Sequence, residues 1–293
     1  MAIKTSGPIS IQDIVNEFGG TAPHSLNEYY KGGTYVPVAP QNANVPTQGA
    51  ISLENFYGAS KIIYITYEMW GAGGTGGRGY ENQGAPSGSR AGAGKPTGVM
   101  TRSRYDALVA AGSDFNSLSS SDFVIYAQGG AGGLNGNLGS PYNGSAGEAS
   151  DFGAGGAGGS PNSAGSNPTW GHWGAAGGGG GGDNGSTSYL NLYGKDAAGA
   201  AGSGGLAAAK TTGTSAIDPG QYVLFVGGAG PQYSGGNHDG GFGMPGYLKF
   251  SLSSTPLAGN YILAPSNESQ NRQTSYITFM TIQNNGSVVF PTS

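Results

Sequence analysis

Residues 62–77 read IIYITYEMWGAGGTGG, a strand-like apolar and aromatic run that passes directly into glycine triplets. The same transition recurs at residues 123–134, FVIYAQGGAGGL, and at residues 222–230, YVLFVGGAG. A unit that returns in this way indicates an internal repeat, which random low complexity would not produce. The repeat predicts a folded body in which short strands alternate with glycine segments.

Glycine supplies 60 of the 293 residues, about three times its usual share. The three-residue spacing of the triplets predicts helices of the polyproline-II type, which have no internal hydrogen bonds. Such helices are stable only when they pack side by side, because backbone N–H and C=O groups then pair with neighbouring segments. Each glycine opposes folding by about 0.5–1 kcal/mol relative to alanine. The alternative, a disordered linker, is disfavoured by the strand-like runs between the triplets.

Composition excludes several classes of function. Charged residues make up 10% of the chain and the net charge is −4, without a basic run of the kind that nucleic-acid binding requires. No apolar stretch approaches the length of a membrane span, and the first residues show no signal peptide. The absence of cysteine excludes disulfides and thiolate metal sites. These features predict a protein made in a cytosol, without a cofactor and without membrane insertion.

Residues 1–60 differ from the rest and predict a small module of short helices. Each of three serines is followed by a helical pattern that stops at glycine, as expected of N-cap residues. These serines are Ser10, Ser25 and Ser52. Because such short helices bury little surface, the module is expected to dock on another subunit or pack against the next domain, although a free-standing cap stays open.

Residues 61–250 predict the glycine-rich body and residues 251–293 a C-terminal β region. In the latter, Asn284-Asn285-Gly286 between two strand-like runs is a strong hairpin signal. The predicted fold is therefore mostly β and irregular, with short strands, packed polyglycine-II helices, a helical N-terminal module and a C-terminal β-hairpin. A further short helix is expected at residues 103–111, capped by Ser103.

Between the glycine blocks lie stretches of other composition, which we interpret as insertions. They cover residues 80–90, 95–121, 135–152, 161–173, 183–196, 206–219 and 231–239. Most are rich in Asn, Ser, Tyr and Trp, a composition resembling that of antibody paratopes, in which aromatic rings supply contact area at low entropic cost. We predict that these loops bind a receptor. The candidate residues are Tyr80, Arg90, Tyr142, Trp170, His172, Trp173, Tyr189, Tyr193, Tyr233, His238 and Asp239.

Catalysis is not indicated. Residues 71–76 match G-x-G-x-x-G, but a dinucleotide site needs a helix next and glycine continues instead. The three histidines are far apart in the sequence, and neither a nucleophile–base order nor a pair of carboxylates stands out. We therefore predict a protein that is not an enzyme, with no catalytic and no metal-binding residues.

The N-terminal sequence resembles a segment common in bacteriophage tail proteins. The residues that carry this resemblance are SGPIS at 6–10, SLNEYYKGG at 25–33 and GAISLENFYG at 49–58. Residues 62–74 together with 219–230 are similar to the glycine-rich domain of phage tail fibres, and in style to the polyglycine-II sandwich adhesins of T-even-type phages. The sequence departs from that pattern at residues 95–121 and 254–293.

This resemblance implies a phage tail adhesin located in the virion. In that family, stacked polyglycine helices present variable loops to a receptor on the bacterial surface, here expected to be lipopolysaccharide or an outer-membrane protein. Residues 1–60 would attach the protein to other tail or fibre subunits, and association of several copies stays open. The alternative is a structural tail-fibre or baseplate component whose loops are buried between subunits. An ice-binding bundle is disfavoured because the non-glycine positions of the triplets are too mixed.

Overall fold

The computed structural model describes residues 2–77, 91–113, 115, 117–134, 144–160, 163–169, 171–176, 205–230, 240–252, 261–264, 273–283 and 288–290. Within them the chain forms nine strands in two antiparallel sheets and two α-helices, which confirms the predicted mostly β class. The strands are β1 (Ile63–Trp70), β2 (Thr97–Thr101), β3 (Ile125–Ala127), β4 (Lys210–Ile217), β5 (Gly220–Val226), β6 (Tyr247–Leu252), β7 (Tyr261–Leu263), β8 (Tyr276–Ile282) and β9 (Val288–Val289). The helices are α1 (Ile11–Phe18) and α2 (Arg102–Ala110).

The two sheets pack face to face around one hydrophobic core. The four-stranded sheet has the order β4-β1-β6-β7, and the five-stranded sheet has the order β3-β2-β5-β8-β9. Along β1, Ile63, Ile65 and Met69 are buried in this core. Tyr64 and Thr66, which lie between them in the sequence, are exposed. This period of two is the pattern of a strand with one face in a core and the other towards solvent.

The five-stranded sheet is also covered on its outer face. Val223 and Phe225 of β5 are fully buried there together with Met100 of β2. Tyr105 and Leu108 of α2 pack against them. β5 is therefore buried on both sides, which explains why its sequence is a continuous apolar run without polar alternation.

The N-terminal module has the predicted helix and a core of its own. α1 begins after Ser10, whose side chain accepts the N–H of Asp13, while the Asp13 carboxylate accepts the N–H of Ser10 at 2.8 Å. It ends at Gly19, whose φ of 82° lies in the left-handed region that favours glycine. Single 3₁₀ turns follow the other two serines, at Leu26–Glu28 and Leu53–Phe56. Fully or almost fully buried apolar residues hold the module together: Ile3, Ile14, Phe18, Tyr29, Val36, Val45, Phe56 and Ala59.

Polar contacts join this module to the segment that leads into β1. The carboxylate of Glu17 on α1 accepts the N–H of Lys61 at 3.0 Å. The buried side chain of Asn42 accepts the N–H of Ser60 at 2.9 Å and donates to its carbonyl at 2.8 Å. These bonds satisfy backbone groups that would otherwise be buried without a partner, so they fix the path of the chain as it leaves the module.

Two stretches predicted as insertions are regular structure. Residues 95–121 contain β2 in addition to α2, a helix that the sequence predicted at residues 103–111, and residues 206–219 contain β4. The prediction failed because β2 (TGVMT) and β4 (KTTGTSAI) lack the apolar run used to recognise strands. Their conformation is decided by pairing with β5 and β1, a non-local effect that outweighs weak local preference.

The second helix is capped two residues earlier than predicted. The side chain of Thr101, the last residue of β2, accepts the N–H of Arg104 at 3.2 Å and so serves as the N-cap in place of Ser103. The helix is fastened to the loop before β3 by Arg104, which donates to the buried carboxylate of Asp122 at 2.6 Å. The pKa of Asp122 lies below its ordinary value, chiefly because the carboxylate accepts the N–H of Ser119 and also because of Arg104.

We expect Asp122→Ala to lower the free energy of unfolding at neutral pH by about 2–3 kcal/mol, because a charged hydrogen-bond acceptor is removed from buried partners. Since the folded-state pKa is lowered, the stabilisation is present at neutral pH and is lost as the pH falls below about 4. The difference in the free energy of unfolding between the two proteins, measured in urea, should therefore narrow as the pH is lowered from 7 to 3. The control is Asp106→Ala, which breaks an exposed ion pair with Arg102 and should cost less than about 1 kcal/mol.

The last three strands extend the two sheets. β7 pairs with β6, and β8 pairs with β5 over its full length. β8 also pairs antiparallel with β9, as the predicted hairpin requires, although its turn at residues 284–287 lies outside the described residues. The predicted domain boundaries at residues 60 and 250 stay predictions.

Candidate functional site

Six strands continue at one end of the two sheets into glycine-rich segments. β1 leaves the sheet at Trp70, which lies opposite Lys210 at the start of β4 and Tyr247 at the start of β6. In the other sheet, the start of β2 lies opposite the ends of β3 and β5. All six extensions therefore leave from the same end. They are residues 71–77, 91–95, 128–134, 205–209, 227–230 and 240–246.

Residues 71–77, here called the central segment, donate hydrogen bonds with a period of three residues. Successive N–H groups point to three different neighbours, at distances of 2.8 to 3.4 Å, and the fourth returns to the first neighbour. Gly71 and Gly74 donate to residues 205–209, Ala72 and Thr75 to residues 91–95, and Gly73 and Gly76 to residues 240–246. A β-strand donates with a period of two instead, so the central segment differs in geometry from the strand that precedes it.

Six segments surround the central segment, and each is joined to the next by at least one backbone hydrogen bond. In order around the ring they are residues 91–95, 128–134, 205–209, 174–176, 240–246 and 227–230. The last bond closes the ring, since Lys95 donates to the carbonyl of Gly228 at 3.0 Å. Two of these six contacts, those of residues 91–95 with 128–134 and with 227–230, join segments whose strands pair within a sheet. Residues 174–176 are not the direct extension of a strand.

Glycine is required in this array by close approach between backbones. A Cβ atom placed on Gly73 would lie closer than 3.0 Å to the carbonyl oxygen of Ala175. One placed on Gly129 would lie equally close to the carbonyl oxygen of Gly94. Neither glycine has a φ in the left-handed range. The reason for glycine at these two positions is therefore the space that a side chain would need, and a turn conformation is not involved.

The segment ends remote from the sheets converge, and we call them the distal end. Gly133 donates to the carbonyl of Thr75 at 2.9 Å, and Ala91 donates to the carbonyl of Gly133 at 2.8 Å. The buried hydroxyl of Thr75 donates to the carbonyl of Gly230 at 2.7 Å, and Gly76 donates to the carbonyl of Gly241 at 2.9 Å. These residues flank three stretches outside the described residues, 78–90, 135–143 and 231–239.

Most of the predicted site residues belong to stretches attached to this distal end. Another such stretch, residues 177–204, ends at Gly205, next to the Leu206 carbonyl that accepts from Gly74 at 3.0 Å. The candidates in the four stretches are Tyr80, Arg90, Tyr142, Tyr189, Tyr193, Tyr233, His238 and Asp239, and all of them lie outside the described residues. Trp170 also lies outside the described residues.

His172 and Trp173 are placed at the opposite end, next to the sheets. The Nδ1 atom of His172 is 2.9 Å from the carbonyl oxygen of Ala154, and its ring fills the space that a side chain at Gly153 would need. Gly174 then donates to the carbonyl of Pro245, two residues before β6 begins. The structure therefore does not bring His172 together with the attachment points of the other candidates.

Sequence reasoning missed a cluster at the junction between sheet and glycine segments. The ring of Trp70 meets Phe152 edge-on at a centroid distance of 4.7 Å and Tyr247 at 5.6 Å. The ammonium group of Lys210 lies 4.7 Å from the centre of the Trp70 ring. Burial raises the pKa of Tyr247, with a smaller contribution from the charge of Glu68. In the sequence, this cluster is indicated only by Trp70 at the end of its strand. The partners of Trp70 come from distant parts of the chain, so the sequence does not show that they lie together.

Lys210 joins this cluster to two carboxylates. Its ammonium group lies 2.6 Å from Asp151 and 3.2 Å from Glu68. The hydrogen bond to Asp151, and then the one to Glu68, raise the pKa of Lys210 above its ordinary value. Because all three side chains are partly exposed, these ion pairs orient the residues more than they stabilise the fold. The cluster therefore has a structural role, because its contacts hold residues 151–152 against the four-stranded sheet.

The described residues contain no group of three or more His, Asp or Glu side chains that could hold a metal ion. No helix among these residues is long and apolar enough to cross a membrane. No protein-family model, curated protein or solved structure matches the chain. The function must therefore be inferred from the geometry of the chain itself.

Proposed function

We propose that the glycine segments are a bundle of polyglycine-II helices that serves as a stiff scaffold. Support comes from the three-residue period of the donors in the central segment, from its six neighbours, and from the close backbone approach at Gly73 and Gly129. A helix with three residues per turn directs successive N–H groups in three directions. Because inter-segment bonds satisfy the backbone, such a bundle keeps its shape without a large apolar core.

We propose that the protein is a phage tail adhesin that recognises the bacterial surface at the distal end of this scaffold. The observation that carries the proposal is the convergence there of the attachment points of four Tyr-, Asn- and Ser-containing stretches. Binding residues commonly lie on loops held by a rigid scaffold. Aromatic side chains on such loops stack on sugar rings or fill apolar pockets, which suits lipopolysaccharide or an outer-membrane protein.

In this proposal the two ends of the molecule have different roles. Residues 1–60, which have their own core, attach the chain to other tail or fibre subunits in the virion. The glycine body then holds the distal stretches away from that attachment. His172 and Trp173 belong to the turn beside the sheets, so we assign them to the scaffold and assign receptor binding to the eight candidates in the distal stretches. No catalytic step is proposed.

Binding of the purified, fluorescently labelled chain to a panel of Gram-negative bacteria tests this function. We expect saturable binding to a subset of strains, and at least a tenfold loss of affinity in the variant Tyr233→Ala/His238→Ala/Asp239→Ala, since a few aromatic and charged residues commonly dominate an interface. Protease treatment of the cells and competition by purified lipopolysaccharide distinguish the two receptor classes. The matched control is Tyr64→Ala, which removes an exposed tyrosine from the sheet and should bind like the parent protein.

An adhesin is contradicted if the chain binds none of the strains. If the triple variant binds as well as the parent, residues 231–239 do not belong to the binding site. Antibody labelling of phage particles in electron micrographs then distinguishes a structural tail component from an adhesin, since the former lies within the tail and the latter at its tip.

A further inference from the structure

β4 forms one edge of the four-stranded sheet in the part of the chain that the structure describes. Its inner neighbour is β1, and no strand among the described residues pairs with its other side. Along β4 the side chains alternate between exposed and half-buried until Ile217, which is buried. An edge of this kind presents a row of unpaired N–H and C=O groups, which can pair with a strand of another chain.

The usual devices that protect an edge strand are missing from β4. The strand has eight residues, contains no proline, and keeps an uninterrupted register with β1 from Ile217 to Lys210. Its single charged residue is Lys210, at the first position. Natural proteins shorten such edges, bend them with bulges or place charges along them. The absence of these features indicates that the edge is used as an interface.

The charges at the two ends of this strand favour a second copy of the same chain as the partner. Lys210 begins β4, and Asp218, which is exposed, directly follows it. Both lie four residues from Thr214, and the residues between them are uncharged. If two β4 strands pair antiparallel about a two-fold axis at Thr214, Lys210 of each copy lies opposite Asp218 of the other. Antiparallel partners point to the same face, so this register also keeps the apolar face of both sheets inward.

The side chains nearest the axis are small and compatible with such pairing. Thr214 would face its own copy, and its hydroxyl already lies 3.0 Å from the hydroxyl of Thr66 on β1. Two of the three N–H donors of the Lys210 ammonium group are accounted for by Glu68 and Asp151. The ammonium group also lies 4.7 Å from the centre of the Trp70 ring, so the Asp218 carboxylate of the second copy would join an existing group of charges at Lys210.

We propose that two copies of this protein associate through antiparallel pairing of their β4 strands, with Thr214 on the two-fold axis, to form one continuous eight-stranded sheet. The inference is independent of the adhesin function, because it concerns the edge of a sheet and none of the candidate receptor-binding residues. A dimer of this kind is isologous, the commonest symmetry among soluble oligomers. Because the paired β4 strands run antiparallel, the distal ends of the two copies point in opposite directions.

Sedimentation velocity of the parent chain and two lysine variants tests the interface. We expect the sedimentation coefficient of the parent to correspond to a dimer, with twice the 29.1 kDa mass of the chain. Thr214→Lys places two lysines opposite each other on the axis and should weaken dimerisation about tenfold or more. The control is Thr66→Lys, which adds the same charge to the same face, and loses the same hydroxyl pair, one strand further in. This control should remain dimeric.

The register is tested separately by single cysteines, since the natural chain has none. Under mild oxidation Thr214→Cys should form a disulfide-linked dimer, because paired residues of neighbouring strands lie within disulfide reach. Thr212→Cys should not, since its two copies would be about 13 Å apart along the strands. The proposal is overturned if the parent is monomeric, if Thr214→Lys stays dimeric, if both lysine variants become monomeric, or if Thr212→Cys cross-links in preference to Thr214→Cys.

Discussion

Replacing Gly129 with alanine should destabilise the protein by about 3 kcal/mol or more and lower Tm by roughly 10 °C. The new Cβ would meet the carbonyl oxygen and carbon of Gly94, both closer than 3.0 Å. These are backbone atoms in the neighbouring segment, so no side chain can rotate away, and the two segments must separate. Separation lengthens the hydrogen bond from Gly94 to Gly130, now 2.8 Å.

The sign of this effect distinguishes packing from chain entropy. Alanine reduces the entropy of the unfolded chain and stabilises a protein by about 0.4–1 kcal/mol wherever the folded backbone accepts it. The control is therefore Gly220→Ala at the start of β5, where the nearest atom to a new Cβ is in the Tyr222 ring at 3.7 Å. We expect this variant to be neutral or slightly stabilised in calorimetry. Equal stability of the Gly129→Ala and Gly220→Ala variants would contradict close packing of the segments.

Replacing Trp70 with alanine should cost about 3–5 kcal/mol, the range for removing a large buried aromatic side chain. Trp70 is 3% exposed and fills the space between β1, β6 and the loop that carries Phe152. Its loss also removes the ring that Phe152, Tyr247 and the Lys210 ammonium group contact. Urea unfolding monitored by circular dichroism measures the change, and Trp70→Phe should recover a substantial part of the stability because a ring is retained.

A second variant in the same cluster tests whether aromatic burial or the ion pair contributes more to stability. Asp151→Asn removes the carboxylate partner of Lys210, but both side chains are partly exposed, so the cost should be below about 1 kcal/mol. If Asp151→Asn were as damaging as Trp70→Ala, the ion pair would be the main stabilising interaction. The assignment of the junction to aromatic burial would then be wrong.

The local part of the fold could be read from the sequence. Ser10 and Gly19 mark the two ends of α1 because capping depends on a few neighbouring residues. The apolar runs that begin at Ile62 and Tyr222 indicate β1 and β5 because their side chains have the spacing of buried strands. β2 and β4 could not be recognised in this way, since a strand rich in Thr and Gly is stabilised by its neighbours and has little preference of its own.

For the candidate site, the sequence identified the stretches but not their grouping. Tyr233 and Tyr80 belong to stretches attached to one end of the glycine segments, whereas His172 lies beside the sheets at the other end. All three residues have similar glycine-rich surroundings in the sequence. Their positions differ because the chain reverses direction between segments. The number of reversals before each residue cannot be predicted from local composition.

One residue in five is glycine, and this composition alone determined that any folded state must satisfy its backbone through contacts between segments. Composition could not determine which segments are neighbours, because backbone N–H and C=O groups are chemically alike along the chain and do not specify a partner. The tertiary structure makes that choice through the strands. Side chains such as Ile65 and Leu224 fix the strands in the core, and the packed sheets then place Gly129 in the ring around the central segment, to which Gly73 belongs.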